Sequence, residues 1–273
     1  MTSLSKRDGI NAKRGLKGSQ IHTDKTQTSN PTEGAIPRSL SDQPQRISSS
    51  VTRSSEIESF NMPSLSDSLL DELLLMPLVG VLRGCPIEHV LAVATTASEA
   101  GLRIMEVTLD SPDALDQIGL LSKHLPGTLI GAGTVRSSNQ VDSACGAGAR
   151  FVVSPGTNPS VVKRSLALDV PCVPGAATPS EIEYAFELGA AAVKVFPADQ
   201  LGGPSYLEAL RAPLHGIPLL PSGGIDATNA ASYLAAGAIG LAVGARVLSS
   251  AALANGDCET VTGSVRKLVE SVS

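Results

Sequence analysis

Lys194 is a candidate nucleophile because of the apolar residues that surround it in the sequence. It interrupts an apolar run, Ala190-Ala191-Ala192-Val193-Lys194-Val195-Phe196-Pro197, which has the length and composition of a buried β-strand. If helices cover the outer face of this strand, as they do around parallel sheets, the lysine side chain points inward. Burial disfavours the charged ammonium form and favours a neutral amine that can attack a carbonyl carbon. A lysine that only pairs with a carboxylate is the structural alternative.

Glu106 is the natural partner for this amine. It lies in the run Ile104-Met105-Glu106-Val107-Thr108-Leu109-Asp110, where strand alternation places Glu106 and Thr108 on one face. A glutamate is rarely buried without a partner, so a Lys194–Glu106 pair is the economical arrangement. An amine that forms an iminium and a carboxylate that moves protons are the groups that Schiff-base formation and aldol cleavage require. For Glu106 too, a purely structural ion pair is the alternative.

Small residues at other strand ends predict where a ligand would lie. Ile130-Gly131-Ala132-Gly133-Thr134 allows the backbone close to a ligand and offers the Thr134 hydroxyl to a carboxylate or carbonyl. The runs Pro221-Ser222-Gly223-Gly224-Ile225 and Val243-Gly244-Ala245-Arg246 are placed where backbone N–H groups often bind phosphate. Turn glycines with no ligand are the structural alternative here.

Eight strand-then-helix units would hold these residues. Short apolar runs at 77–82, 103–109, 129–135, 150–156, 171–176, 192–197, 218–222 and 240–244 are each followed by an amphipathic stretch. Strands that are apolar on both faces indicate a parallel sheet, and eight units predict a closed (β/α)8 TIM barrel with its site at the carboxyl ends of the strands. A doubly wound open sheet is the alternative.

The chain divides by composition into two segments. Residues 1–62 are rich in Ser, Thr, Asn, Gln, Lys and Arg without helical or strand periodicity, which predicts a disordered tail or a transit segment. Residues 63–273 form the predicted barrel domain, opened by a short amphipathic helix from Ser64 that plugs or covers one end. We expect a cytoplasmic protein, or a plastid one if the tail is a transit peptide.

Composition excludes several classes of protein. The formal net charge is −5 with scattered basic residues, which argues against a nucleic-acid partner. No apolar run approaches membrane-spanning length, so no membrane partner is expected. The four cysteines show no metal-ligand or disulfide spacing, and reduced cysteines in an intracellular core are expected; no metal or cofactor is predicted.

Several motifs together resemble those of the 2-keto-3-deoxy-6-phosphogluconate (KDPG) aldolases, which also act on 4-hydroxy-2-oxoglutarate (KHG). The resemblance spans about 75 to 250 and rests on Glu106-Val-Thr-Leu109, Gly131-Ala-Gly-Thr134, Ser154-Pro-Gly156, Pro174-Gly175, Lys194-Val-Phe-Pro197-Ala198 and Gly223-Gly224-Ile225. It implies a metal-free class I aldolase and a homotrimer, with a keto-acid phosphate as the small-molecule substrate. Lys194 would be the Schiff-base lysine and Glu106 the general acid/base. The implied substrate contacts are Thr134, Thr108, Pro155, Phe196, Ser222, Gly223, Gly224, Gly244 and Ala245.

Three departures from the family pattern bear on the substrate. Asp110 stands where members that act on phosphogluconate commonly carry Arg, and Arg83 resembles an arginine of the galactonate-specific relatives that could bind the substrate carboxylate. Ala245 replaces a common Ser, and Ser222 a common Thr. The expected reaction is therefore KDPG cleavage to pyruvate and glyceraldehyde 3-phosphate, with the galactonate epimer or KHG as alternative substrates. The residues also fit a phosphate-binding isomerase or epimerase, with Glu106 as base and Lys194 as a non-covalent clamp, or a non-catalytic binding protein.

Overall fold

The computed structural model of the chain describes residues 65–273, with side chains from Leu69 onward. The prediction of a disordered tail or transit segment for residues 1–62 lies outside the described residues. No helix within the described part is long and apolar enough to cross a membrane.

Ten helices and nine strands lie along residues 65–273, and they alternate except that β6 follows β5 and α10 follows α9. In chain order they are α1 (Leu65–Leu75), β1 (Leu78–Leu82), α2 (Ile87–Glu99), β2 (Ile104–Thr108), α3 (Ala114–His124), β3 (Leu129–Gly133), α4 (Ser138–Ala147), β4 (Val152–Val153), α5 (Pro159–Ala167), β5 (Cys172–Val173), β6 (Gly175–Ala176), α6 (Pro179–Glu187), β7 (Val193–Val195), α7 (Gly203–Arg211), β8 (Leu219–Pro221), α8 (Ala230–Ala235), β9 (Leu241–Val243), α9 (Ser250–Asn255) and α10 (Cys258–Glu270).

Every strand pairing within residues 65–273 is parallel. One sheet has the order β5-β4-β3-β2-β1-β9 and a second has the order β6-β7-β8. A single parallel bridge joins Ser222, directly after β8, to Ala242 in β9. The α/β class with parallel strands is therefore confirmed, and the carboxyl ends of the strands in each sheet lie at one edge of that sheet.

The predicted fifth strand at 171–176 is divided in two, which corrects the sequence interpretation. Pro174 separates β5, which pairs with β4, from β6, which pairs with β7. Proline has no N–H to donate to a ladder. Its carbonyl still accepts a hydrogen bond from the Lys194 N–H at 2.9 Å, so the chain changes partner at this point without losing contact with β7.

The strand faces separate two apolar clusters. Val79, Ile104, Phe151, Val173 and Leu220 belong to an inner cluster, whereas alternate residues of the same strands pack under the helices in an outer cluster. The inner cluster also contains Leu69 and Leu73 of α1, so the opening helix packs against the inner face of the strands.

Local capping fixes where the helices begin. Thr178 and Glu181 form a reciprocal capping box at α6, and the Asn158 side chain accepts a hydrogen bond from the Ser160 N–H just ahead of Pro159 in α5. These signals are readable from sequence because they need only neighbouring residues.

Candidate active site

Lys194 and Glu106 approach each other on the inner side of the strands. The Lys194 Nζ lies 3.9 Å from the Glu106 Oε1, and their side chains are 10% and 1% exposed. Ile104 and Ala192, which lie two residues before Glu106 and Lys194 on the same faces, belong to the inner apolar cluster, so apolar side chains border the pair on one side. The expected pairing is therefore present in the structure.

Burial controls the protonation of Glu106. Removal from water raises the pKa of this carboxyl above its ordinary value, and the nearby charges of Lys194 and Arg83 only partly oppose that rise. The Oε2 atom has no hydrogen-bond partner among the described residues. A carboxyl in this setting retains a proton to higher pH than a free glutamate.

Glycine makes room for the carboxyl. A Cβ on Gly133 would lie 2.7 Å from the Glu106 Oε1, closer than real contacts allow. The neighbouring Thr134 has a φ of 58°, an uncommon backbone conformation for a residue with a side chain. The end of β3 thus combines a missing side chain beside Glu106 with a constrained hydroxyl at the cavity.

A cavity of about 440 Å³ opens at the carboxyl ends of the strands, and this volume suits a small organic ligand. Its lining includes ten of the residues selected from the sequence: Arg83, Thr134, Pro155, Lys194, Phe196, Ser222, Gly223, Gly224, Gly244 and Ala245. Glu106 lies behind the wall, within reach of the lysine.

Thr108 does not line this cavity. It is fully buried, and its hydroxyl lies 2.9 Å from the Ser111 Oγ and 3.5 Å from the Leu82 carbonyl oxygen. Its position supports the loop after β2 and does not present the hydroxyl to a ligand.

Arg246 is a cavity residue that the sequence pattern did not single out. Its Nη2 donates to the Asp199 Oδ2 at 3.2 Å and its Nη1 donates to the Asp226 Oδ2 at 3.3 Å. Hydrogen bonds from Thr228, and to a smaller extent Arg246, lower the pKa of Asp226. The only sequence signal was its place directly after Gly244-Ala245, which is too weak to distinguish it from other exposed arginines.

The glycine turns beside Arg246 bring main chain to the cavity. Gly223 and Gly224 have φ values of 97° and 78°, in a region that side chains disfavour. A Cβ on Gly224 would collide with the Asp199 Cβ. This end of the cavity is therefore built from backbone and one arginine.

Among residues 65–273, no group of three or more His, Cys, Asp or Glu side chains is arranged so that it could hold a metal ion. Burial raises the pKa of the Cys85 thiol to about 11 and that of Cys172 to about 12, and all four cysteines are free.

Comparison with known proteins decides the family. The family model described as KDPG and KHG aldolase matches residues 69–264, more than half of the chain. The chain belongs to the KDPG and KHG aldolase family.

Individual members of this family align over most of their length. A 2-dehydro-3-deoxy-phosphogluconate aldolase of Treponema pallidum is 36% identical over 203 residues, covering 74% of this chain and 95% of the relative. A KHG/KDPG aldolase of Escherichia coli K12 is 33% identical over 194 residues, covering 71% and 91%. Among solved structures, KDPG aldolase from Legionella pneumophila, with pyruvate captured as a covalent carbinolamine intermediate, has 29% identity and a TM-score of 0.68, covering 72% and 96%.

Proposed function

We propose that this protein is a class I aldolase that reversibly cleaves KDPG to pyruvate and glyceraldehyde 3-phosphate through a Schiff base on Lys194. The buried Lys194–Glu106 pair at the base of the cavity carries the proposal, because it supplies an amine and a proton carrier at one point. Family membership and the carbinolamine trapped in the Legionella relative support it.

The first half of the reaction forms the electron sink. The lone pair of the Lys194 amine adds to the C2 carbonyl, and a proton passes from nitrogen to oxygen to give a carbinolamine. Glu106, whose raised pKa favours the protonated carboxyl, donates a proton to the carbinolamine hydroxyl. Water leaves, and an iminium on Lys194 and a carboxylate on Glu106 remain.

The second half breaks the carbon–carbon bond. The Glu106 carboxylate takes the proton of the C4 hydroxyl, directly or through water, while the C3–C4 bond electrons move to the iminium and form an enamine. Glyceraldehyde 3-phosphate leaves. Glu106 returns its proton to C3, and water then attacks the pyruvate iminium with Glu106 as base, which releases pyruvate and restores the amine.

Each end of the substrate has a matching part of the cavity. Arg83 and Thr134 lie together at one side, where a guanidinium and a hydroxyl suit the C1 carboxylate. Gly223, Gly224, Gly244 and Ala245 follow β8 and β9, and their backbone N–H groups suit the phosphate. Pro155, Phe196 and Ser222 also line the cavity, and the Phe196 ring centroid is 5.5 Å from the Lys194 Nζ.

The galactonate epimer and KHG are second candidate substrates. Asp110 and Ala245 depart from the pattern of members that act on phosphogluconate, and Arg83 lies at the cavity. All three substrates share the pyruvate-forming end. Cleavage rates measured with one enzyme preparation on KDPG, the galactonate epimer and KHG would show which substrate is preferred.

Three further proposals concern the domain architecture, the oligomeric state and the cellular compartment. The domain comprises residues 63–273, and its strands close into a (β/α)8 barrel; the Ser222–Ala242 bridge and the shared Pro174 turn support closure at the two places where the sheets adjoin. The protein forms a homotrimer, a proposal supported by exposed Tyr184 and Phe186 and checked by light scattering. The compartment, cytoplasm or plastid, follows from whether residues 1–62 act as a transit segment.

Borohydride reduction in the presence of pyruvate tests the mechanism. We expect a stable adduct on Lys194 in peptide mass mapping, and no adduct or cleavage with Lys194→Ala. Lys123→Ala, which removes a lysine near the end of α3, is the control and should leave the adduct unchanged. A folded wild-type protein without an adduct would favour the isomerase or the binding protein.

A further inference from the structure

Three neighbouring strand ends bring Arg83, Asp110 and Thr134 together beside the cavity. Arg83 follows β1, Asp110 follows β2 and Thr134 follows β3, and these strands are adjacent in the sheet. The Arg83 Nη1 donates to the Asp110 Oδ2, and its Nη2 donates to the Thr134 Oγ1 at 2.9 Å. One guanidinium therefore links a carboxylate and a hydroxyl that are far apart in the chain.

The backbone on both sides of the ion pair is held in place. The Gly84 N–H donates to the Ser111 Oγ at 2.8 Å, which ties the residue after Arg83 to the residue after Asp110. The Ser111 N–H donates to the Thr108 carbonyl oxygen, and the Leu109 N–H donates to the Gly133 carbonyl oxygen. Asp110 is thus presented from a loop fixed to its neighbours on both sides.

Hydrogen-bond roles in this cluster are determined by chemistry. A guanidinium only donates, so the Thr134 oxygen must accept from Arg83. The Thr134 proton is then free to donate elsewhere, and the cavity is the adjacent space. Asp110 uses one of the five guanidinium N–H donors and Thr134 another, which leaves others for an anion.

The Arg83–Asp110 ion pair is too exposed to contribute much to the stability of the fold. The Arg83 and Asp110 side chains are 54% and 48% exposed, and ion pairs in water contribute little because solvent screens them. What the pair does provide is one orientation for a long side chain that otherwise samples many rotamers. Its location at the cavity makes that orientation relevant to binding.

We propose that Asp110 is a positioning residue, which orients Arg83 and through it Thr134 to bind the carboxylate next to the keto group of the substrate. This inference rests on the proposed aldolase function. Because every candidate substrate and pyruvate itself carry that carboxylate, Asp110 affects binding of all of them alike. The phosphate end is unaffected.

Asp110→Ala tests the proposal by separating binding from chemistry. We expect the pyruvate concentration for half-maximal borohydride trapping to rise about tenfold, equivalent to ~1.4 kcal/mol of binding. The KM for cleavage should rise by a similar factor while kcat stays within about twofold. Asp142→Ala is the matched control, because it removes a comparably exposed aspartate from an ion pair with Arg164 away from the cavity.

A double-mutant cycle with Arg83→Gln distinguishes action through Arg83 from a direct effect of Asp110. If Asp110 works through Arg83, adding Asp110→Ala to Arg83→Gln changes half-saturation no further. An unchanged half-saturation in Asp110→Ala, or the same tenfold rise in the Arg83→Gln background, overturns the inference alone. A wild-type protein that forms no pyruvate adduct overturns the proposed function and this inference with it.

Discussion

The charges at the base of the cavity and those at its rim lie in contrasting surroundings. Lys194 and Glu106 are almost completely buried, and burial raises the pKa of Glu106. Arg83 and Arg246 at the rim are about half exposed and each contacts at least one aspartate. Desolvation raises the pKa of the buried Glu106 carboxyl, whereas the rim ion pairs lie in water that screens their charges. The base is therefore suited to proton transfer and the rim to holding anions.

Removing the buried carboxyl should have the largest effect. Glu106→Gln keeps the size of the side chain but cannot accept or return a proton, so we expect kcat to fall by about 10²- to 10⁴-fold. Stopped-flow or coupled assays of cleavage measure it. Glu72→Gln, which removes a carboxylate that pairs with Arg103, is the control and should leave kcat unchanged. A kcat within threefold of wild type for Glu106→Gln would exclude a proton-transfer role.

Displacing the carboxyl without removing it should have a smaller effect. The Cβ of Gly133→Ala would collide with the end of the Glu106 side chain, so we expect roughly a tenfold loss of kcat from misplacement by a fraction of an ångström. Circular dichroism and thermal unfolding check that the variant folds.

Gly131→Ala is the matched comparison on the same strand. Its Cβ would collide with the Phe151 ring in the inner cluster, so overpacking should cost about 1–3 kcal/mol in the free energy of unfolding. If Gly131→Ala loses more activity and less stability than Gly133→Ala, then it is wrong that Gly133 borders the active site and Gly131 borders the inner cluster.

Substitution of Arg246 at the rim of the cavity should alter substrate binding and not the chemical step. Arg246→Gln removes a positive charge beside the Gly223-Gly224 turn, so we expect the KM for a phosphorylated aldehyde acceptor to rise about three- to tenfold. The KM for an unphosphorylated acceptor should stay the same. Arg164→Gln, at an ion pair away from the cavity, is the control. Equal effects of Arg246→Gln on both acceptors would contradict a phosphate contact.

The smallest expected effect is on the pH dependence of the free energy of unfolding, which tests whether burial perturbs Glu106. A carboxyl whose folded pKa is raised above 4.5 keeps its proton in the folded state, so stability falls as pH rises from 4.5 through the folded pKa. The free energy of unfolding of Glu106→Gln, measured by urea titration, should therefore increase relative to that of wild type as the pH rises from 4 to 7. Parallel pH dependences would mean that burial does not perturb Glu106.

Local patterns predicted most of the elements and the principal residues. Lys194 and Glu106 were identifiable because each interrupts an apolar strand, and strand alternation set the face on which each lies. Capping residues such as Thr178 and Asn158 predicted helix starts for the same local reason. Thr108 followed the same alternation but lies at the strand end, where a contact with Ser111 determines its environment.

The sequence by itself determined the strand–helix alternation, the family and the candidate amine and carboxyl, because these depend on periodicity and on motifs of adjacent residues. Tertiary structure decided the break at Pro174, the pairing of Arg83 with Asp110 and Thr134, and the place of Arg246 at the cavity. Those contacts join residues up to 51 positions apart, and their partners are set by which strand ends become neighbours. The raised pKa of Glu106 belongs to the same group, because it arises from burial that only the packed strands provide.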